Sequence, residues 1–346
     1  MPPQRILVIR LDRIGDVLLS TPALAALRAA YPSAFIAMLV RPPCQQLLEG
    51  HPVLNELLVY EKDGAHRGWL ATVLFAWRLR RARFDTALIL HPTHRSHWIA
   101  ALAGIPQRIG WNRKGGWLLT RRLPHTKQEG RMHERDYTLT LLSAAGVPSD
   151  GMPRVPTMRC PERARVSMER WLVAQHVGAD ETIVALHPSA SGPEKRWPAE
   201  AFAKLADRLL SEAHVRVVLV AGADGAADCE AVARAMRAAP LRADGVFDLQ
   251  ELAALLARAR LLVSNDSGPV HVAVSQGTPV IALFGRTQPG VNPERWRPLG
   301  PRDVVLCREP LSTLAPDEVF RSAAPFLHSP APKDRQFLKR YGALDA

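Results

Sequence analysis

The chain of 346 residues has only four cysteines, Cys44, Cys160, Cys229 and Cys307. They lie far apart and form no Cys-x-x-Cys pair, which argues against a metal site or a disulfide framework and for a reducing, cytoplasmic setting. No apolar run approaches the roughly 18 residues of a spanning helix. The first apolar stretch is broken by Arg10, Asp12 and Arg13, so it lacks the pattern of a secretory signal. Glycine fingerprints are also missing. The segment "LVAGADGAAD" (Leu219–Asp228) has no Gly-x-Gly-x-x-Gly, which leaves a nicotinamide or flavin site, and hence a dehydrogenase, without support. No Gly-x-x-x-x-Gly-Lys-Ser/Thr occurs, which argues against an ATPase P-loop. Acidic side chains are in deficit, 33 against 45 Lys and Arg, for a net charge of +12. Such an excess favours an anionic partner: nucleic acid, anionic lipid or a phosphorylated sugar. An Ala/Arg-rich composition accounts for it equally well. The absence of helix-turn-helix, zinc-finger and RNP patterns argues against a nucleic-acid-binding protein.

What is present is an alternation of strands and helices in both halves. At 47% hydrophobic and 23% charged, the chain suits a soluble globular protein of about two domains. The first half opens with a strand (5–11), a polar turn, a helix (about 16–30) and a strand (35–40). The second repeats the order with a strand (182–187), a turn, a helix (199–212) and a strand (215–221). The strands are short apolar runs without strict alternation, as in parallel sheets buried on both faces. Segments 85–90, 261–264 and 279–284 read the same way. Two doubly wound parallel-sheet domains are predicted, 1–155 and 156–328, with a tail over 329–346. The Pro- and Gly-rich stretch 146–161 joins them, and a helix over 161–175 opens the second. Ligands of such sheets bind beyond the carboxyl ends of the strands, so the site is expected in a central cleft between those edges.

Three turns carry candidate chemistry. "RLDRIGDVLLSTPAL" has one glycine, Gly15, and two aspartates, Asp12 and Asp16. "HPSASGPEKRWP" offers Ser189 and Ser191, whose size lets backbone N–H groups approach an anion, and the charge of Lys195. "NDSGPVHVAVSQGTPVIALFG" places Ser267, Gly268 and Val270 at a helix start, where free N–H groups attract an anion. Asp266 could accept bonds from sugar hydroxyls, unless it or Ser267 merely caps the helix. His271 falls in the first helical turn as a sugar contact or a structural histidine. Two phosphate-type helix ends in one domain suggest a nucleotide diphosphate. The nucleotide base is expected between 219–224, including Gly222, and 246–249, where Phe247 packs on it or belongs to the core. Residues 108–135 hold eight Lys or Arg against two Glu, with Trp111 and Trp117. A basic, aromatic loop there suits a phosphorylated, acidic ligand or an anionic membrane surface. Arg113, Lys114, Arg121 and Arg122 are its expected contacts; an ordinary solvated loop would look similar.

Together these stretches resemble glycosyltransferase family 9, the ADP-heptose:lipopolysaccharide heptosyltransferase family. The similarity lies in "DRIGDVLLSTPAL", "HPSASGPEKRWP" and the stretch from Asn265 to Gly285, and more loosely in "AGIPQRIGWNRKGG". The resemblance implies a GT-B fold, with the acceptor held by the first Rossmann-like domain and the nucleotide-sugar donor by the second. It implies an inverting, metal-independent transfer of heptose without a cofactor. Asp16 matches the catalytic carboxylate, Lys195 the diphosphate-binding lysine and Asp266 the aspartate at the donor-sugar end. Gly15 would leave room for the reacting sugars, and Arg113, Lys114, Arg121 and Arg122 would meet a phosphorylated, lipid-linked acceptor or the anionic inner leaflet. Asp12 matches no residue with a transferable role. Another nucleotide sugar, or an acceptor outside the lipopolysaccharide core, is equally compatible with the resemblance.

Overall fold

The computed structural model describes residues 2–148, 151 and 154–327. The proposed tail, 329–346, lies outside the described residues. The chain forms two compact units that divide between Arg154 and Val155.

The first unit runs β1 (Arg5–Ile9), α1 (Ile14–Leu18), α2 (Thr21–Ala30), β2 (Phe35–Val40), α3 (Gln45–Leu48), β3 (Glu56–Val59), α4 (Trp69–Arg80), β4 (Thr86–Ile89), α5 (His94–Leu102), β5 (Gln107–Trp111), β6 (Arg121–Leu123) and α6 (Glu134–Ser143). Its sheet is wholly parallel, in the order β3-β2-β1-β4-β5-β6. The central strands are buried on both faces, which is why they read as unbroken apolar runs. On one face Leu7, Ile9, Leu39 and Ile89 pack with Leu79 of α4 and with Ile99 and Ala100 of α5.

The second unit runs α7 (Glu162–Ala174), β7 (Ile183–His187), α8 (Ala199–Glu212), β8 (Arg216–Leu219), α9 (Ala226–Ala235), β9 (Leu241–Arg242), α10 (Leu249–Arg258), β10 (Leu261–Asn265), α11 (Gly268–Ser275), β11 (Val280–Phe284), α12 (Pro293–Trp296), β12 (Val304–Cys307) and α13 (Pro316–Leu327). Its strand order is β12-β11-β10-β7-β8-β9, again all parallel. Counted within the unit this is the same winding as the first. In both, the chain reverses its direction of travel between the first and fourth strands, the switch point at which open α/β sheets hold ligands. No helix among the described residues is long and apolar enough to cross a membrane.

Two sequence expectations need correction. The helix expected over 16–30 is two helices, α1 and α2. Pro22 has no N–H to give to the carbonyl of Leu18 and would clash there. The Thr21 hydroxyl takes that carbonyl instead, at 2.8 Å, and the helix restarts with Pro22 in its first turn. The basic stretch 108–135 is not one loop. It contains most of β5, the whole edge strand β6 and the start of α6. Its alternation is obscured because charged side chains on an edge strand are solvated and guard against further pairing.

Buried polar contacts hold the 188–198 segment to the second sheet. The Asn265 side chain accepts from the Trp197 N–H at 3.1 Å and donates to the Pro188 carbonyl at 2.7 Å. Asn265→Ala strands both groups, and a loss of about 1–3 kcal/mol in chemical denaturation is expected. Unchanged stability would show that these bonds do not hold the segment.

Candidate functional site

The first unit gathers its charge at the carboxyl end of β1. The residue after β1 is Arg10, whose side chain is 1% exposed. An isolated guanidinium cannot be buried there, so acids surround it. Its Nε donates to Asp12 at 2.9 Å, and its Nη2 to Asp16 at 2.7 Å and Glu134 at 3.0 Å. Glu134, in the first turn of α6, also receives Lys127 Nζ at 2.5 Å. Asp12 meets Nδ1 of His91 at 3.0 Å. His91 lies just beyond β4, so this contact spans the switch point between β1 and β4.

Burial separates the carboxylates. Glu134 is 1% exposed, whereas Asp12 and Asp16 keep 11% and 15% of their side chains accessible. Only a carboxylate that reaches solvent can meet a substrate. Burial raises the Asp16 carboxyl first, and the negative charge of Asp12 raises it further; Arg10 opposes both, and the result is about 6. Burial also works against ionised Asp12, but Arg10 and the hydrogen bond from His91 outweigh it and hold Asp12 below the usual range. Two neighbouring carboxyls are thus driven apart, the pattern of a site in which one acts as base and the other stays charged. With Asp12, Asp16 and Glu134 ionised against Arg10 and Lys127, the cluster carries one excess negative charge. A proton arriving on Asp16 makes it neutral.

A raised carboxyl alone does not mark a site. Burial also lifts Asp303 to about 6, but it accepts the N–H groups of Gly300 and Val280, at the amino end of β11, away from the ligand edge of its sheet.

In the second unit, His187 ends β7 and lies in register with Ser264 of β10. Its Nδ1 is 3.1 Å from Ser267 Oγ and 3.3 Å from Ser264 Oγ, across the equivalent switch point. Burial lowers His187 to about 4, so it is neutral at pH 7. Lys195 Nζ meets Asp266 Oδ2 at 2.5 Å, and Arg286 Nη2 lies 3.5 Å from the same oxygen. Arg286 Nη1 is 3.6 Å from Glu194. Just before it, a Cβ on Gly285 would run into the Glu194 carbonyl oxygen, so the β11 turn and the 193–195 turn touch backbone to backbone. Ser267 is the residue before α11, but its side chain makes no cap bond to the helix. Asp266 is held by two cations rather than capping α11.

The sequence-derived residues divide accordingly. Asp12 and Asp16 converge on Arg10, while Gly15 lies beside Asp16 in α1. Lys195, Asp266 and Ser267 lie in the turns beyond β7 and β10. Ser189 approaches Gly225 so closely that a Cβ there would lie 2.8 Å from its side chain, while Ser191 is exposed. Gly268 begins α11, but the Val270 N–H is not free: it bonds the Ser267 carbonyl at 3.3 Å. His271 is buried within α11, which favours the structural alternative. Gly222 is exposed in the turn after β8. Phe247 stands edge-to-face on Trp171 of α7, ring centres 5.1 Å apart, as a packing residue does. Arg113, Lys114, Arg121 and Arg122 are exposed. Trp111 is buried, and Lys127 and Arg135 are committed to Glu134 and Asp136, so part of the basic stretch is structural. Arg10, His91, Lys127, Glu134 and Arg286 escaped the sequence reading. A charged residue directly after a buried strand was the available signal for Arg10 and, after Gly285, for Arg286.

Among the described residues no group of three His, Cys, Asp or Glu could hold a metal ion. The acids beside β1 already enclose a guanidinium.

The chain's relatives bear on this geometry. A family model described as glycosyltransferase family 9 (heptosyltransferase) matches residues 73–318. The lipopolysaccharide heptosyltransferase 3 of Escherichia coli is 30% identical over 296 residues, 82% of each chain. The lipopolysaccharide heptosyltransferase 2 of Salmonella typhimurium is 27% identical over 297 residues, covering 84% of this chain and 85% of the relative. The crystal structure of a family 9 glycosyl transferase from Veillonella parvula superposes with a TM-score of 0.85 at 28% identity, over 94% of this chain and 97% of that one. The E. coli ADP-heptose lps heptosyltransferase II has the same fold, with a TM-score of 0.78 at 24% identity over 94% and 98%. The chain therefore belongs to glycosyltransferase family 9, a glycosyltransferase built from the two Rossmann-like domains of the GT-B fold.

Proposed function

We propose that this glycosyltransferase transfers heptose from ADP-heptose, with inversion and without a metal ion or cofactor, to a phosphorylated, lipid-linked sugar of the lipopolysaccharide inner core. The acceptor class follows the names of its relatives, lipopolysaccharide heptosyltransferases. The observation that carries the mechanism is Asp16: accessible, fixed by Arg10, and ionisable near neutrality. The acceptor hydroxyl oxygen attacks the anomeric carbon as the bond to the β-phosphate oxygen breaks. Its proton passes to the Asp16 carboxylate, and the electron pair of the broken bond stays on ADP. The excess negative charge of the Arg10 cluster favours the oxocarbenium-like transition state. Lys195 and Arg286 supply positive charge for the diphosphate, with Ser189, Ser191, Ser267 and Gly268 as hydrogen-bond donors. Asp266 holds both cations in place. Arg113, Lys114, Arg121 and Arg122 are exposed cations suited to acceptor phosphates. A cytoplasmic location at the inner membrane surface fits such substrates.

With ADP-heptose and a lipopolysaccharide core acceptor, Asp16→Asn is expected to lower kcat by about 10²- to 10⁴-fold while the protein stays folded. Near-normal turnover would remove Asp16 as base. Lys195→Ala should raise the donor KM; an effect confined to the acceptor KM would contradict its role. Asp16 must be deprotonated to act, so the rate should fall as pH drops below about 6. Asp12→Asn removes the charge that lifts Asp16 and should move this acid limb to lower pH; an unmoved limb would show that Asp12 does not tune it.

A further inference from the structure

The outer side of α4 is unaccounted for by glycosyl transfer. Its inner side, Thr72, Ala76 and Leu79, is buried. Opposite, at i, i+4 and i+7, stand Leu70, Leu74 and Trp77, exposed by 72%, 50% and 56%. A helix apolar on both sides is expected to be covered on both. The patch extends beyond α4. Trp69, 55% exposed, meets Trp98 of α5 edge-to-face at 5.3 Å, and Trp98 meets Trp117 at 5.5 Å, itself 65% exposed. Exposed apolar surface of this extent marks an interaction site.

Charge identifies the occupant. Residues 64–128 contain twelve Lys or Arg and a single acid, Asp85, so this segment carries nearly the whole net charge of the chain. Asp85 is engaged by the N–H groups of Gln4 and Arg5. Arg78, Arg80 and Arg81 are exposed at the end of α4, and the Arg81 guanidinium lies 4.9 Å from the Trp77 ring centre. Arg113 and Lys114 are exposed shortly before Trp117. Indoles and leucines mixed with arginines match a bilayer interface carrying anionic headgroups. A second copy of the chain would bring like charge against like charge.

We propose that α4, with Trp98 and Trp117, docks this domain on an anionic phospholipid membrane. The apolar side chains enter the headgroup–acyl boundary and the arginines pair with lipid phosphates. This deepens the acceptor reading and rests on it for its purpose, but vesicle binding is read without donor or acceptor, so its failure would leave the transfer reading standing. The test is co-sedimentation with vesicles of phosphatidylcholine alone or with about one third phosphatidylglycerol. The wild type should bind only the mixed vesicles, with a blue shift of tryptophan fluorescence, and high salt should weaken binding. The triple variant Leu70→Ser, Leu74→Ser, Trp77→Ser and the charge-reversed Arg78→Glu, Arg81→Glu should each bind at least tenfold more weakly, with thermal melts showing both folded. No binding by the wild type, equal binding to both vesicle types, or undiminished binding by a folded variant would overturn the proposal. So would a wild-type dimer that the triple variant converts to monomer.

Discussion

The candidate base depends on one buried cation. Arg10 follows a strand that is apolar on both faces, so its guanidinium enters the protein at the carboxyl edge of the sheet with almost no water. Its burial is tolerable only with several carboxylates in contact, because an unpaired charge in such surroundings is prohibitive. The acids come from far apart in the chain: Asp12 and Asp16 from the β1 turn and α1, Glu134 from α6. The same contacts that make Arg10 tolerable fix Asp16 and crowd it against Asp12. Arg10 thus sets the position of Asp16, while burial first and the Asp12 charge second raise its affinity for a proton against the opposing pull of Arg10.

The second unit solves a similar problem at its own switch point. There the partly buried charge is reversed: Asp266 carries the negative charge, and Lys195 and Arg286 answer it from two different turns. The two units share one winding but differ in what holds the centre of the cluster: a guanidinium among carboxylates in the first, a carboxylate between two cations in the second. In the proposed transfer the first unit supplies the proton acceptor and the second the cations for the diphosphate.

Much of this was legible in the sequence where it depended on local chemistry. The unbroken apolar strands, the polar turns that follow them and the Asp16, Lys195 and Asp266 positions all lie within short segments. The family resemblance added roles to those residues. What stayed hidden depended on contacts between distant segments. Glu134 and Lys127 sit within a basic stretch and look like solvated surface until the fold buries them against Arg10 and each other. Asp12, without a role in the sequence, becomes the partner of Arg10 and His91 and the charge that lifts Asp16. The break between α1 and α2 was a local signal overlooked, since Pro22 announces it.

The most direct measurement is the ionisation of Asp16 itself, followed by carboxyl carbon NMR in protein labelled at aspartate, with the resonance assigned by its absence in Asp16→Asn. A midpoint near 6, beside an Asp12 that stays ionised below the usual aspartate range, is the expected result. A midpoint near the unperturbed aspartate value of about 3.9 would contradict the account in which burial and the neighbouring Asp12 charge poise Asp16 as the base.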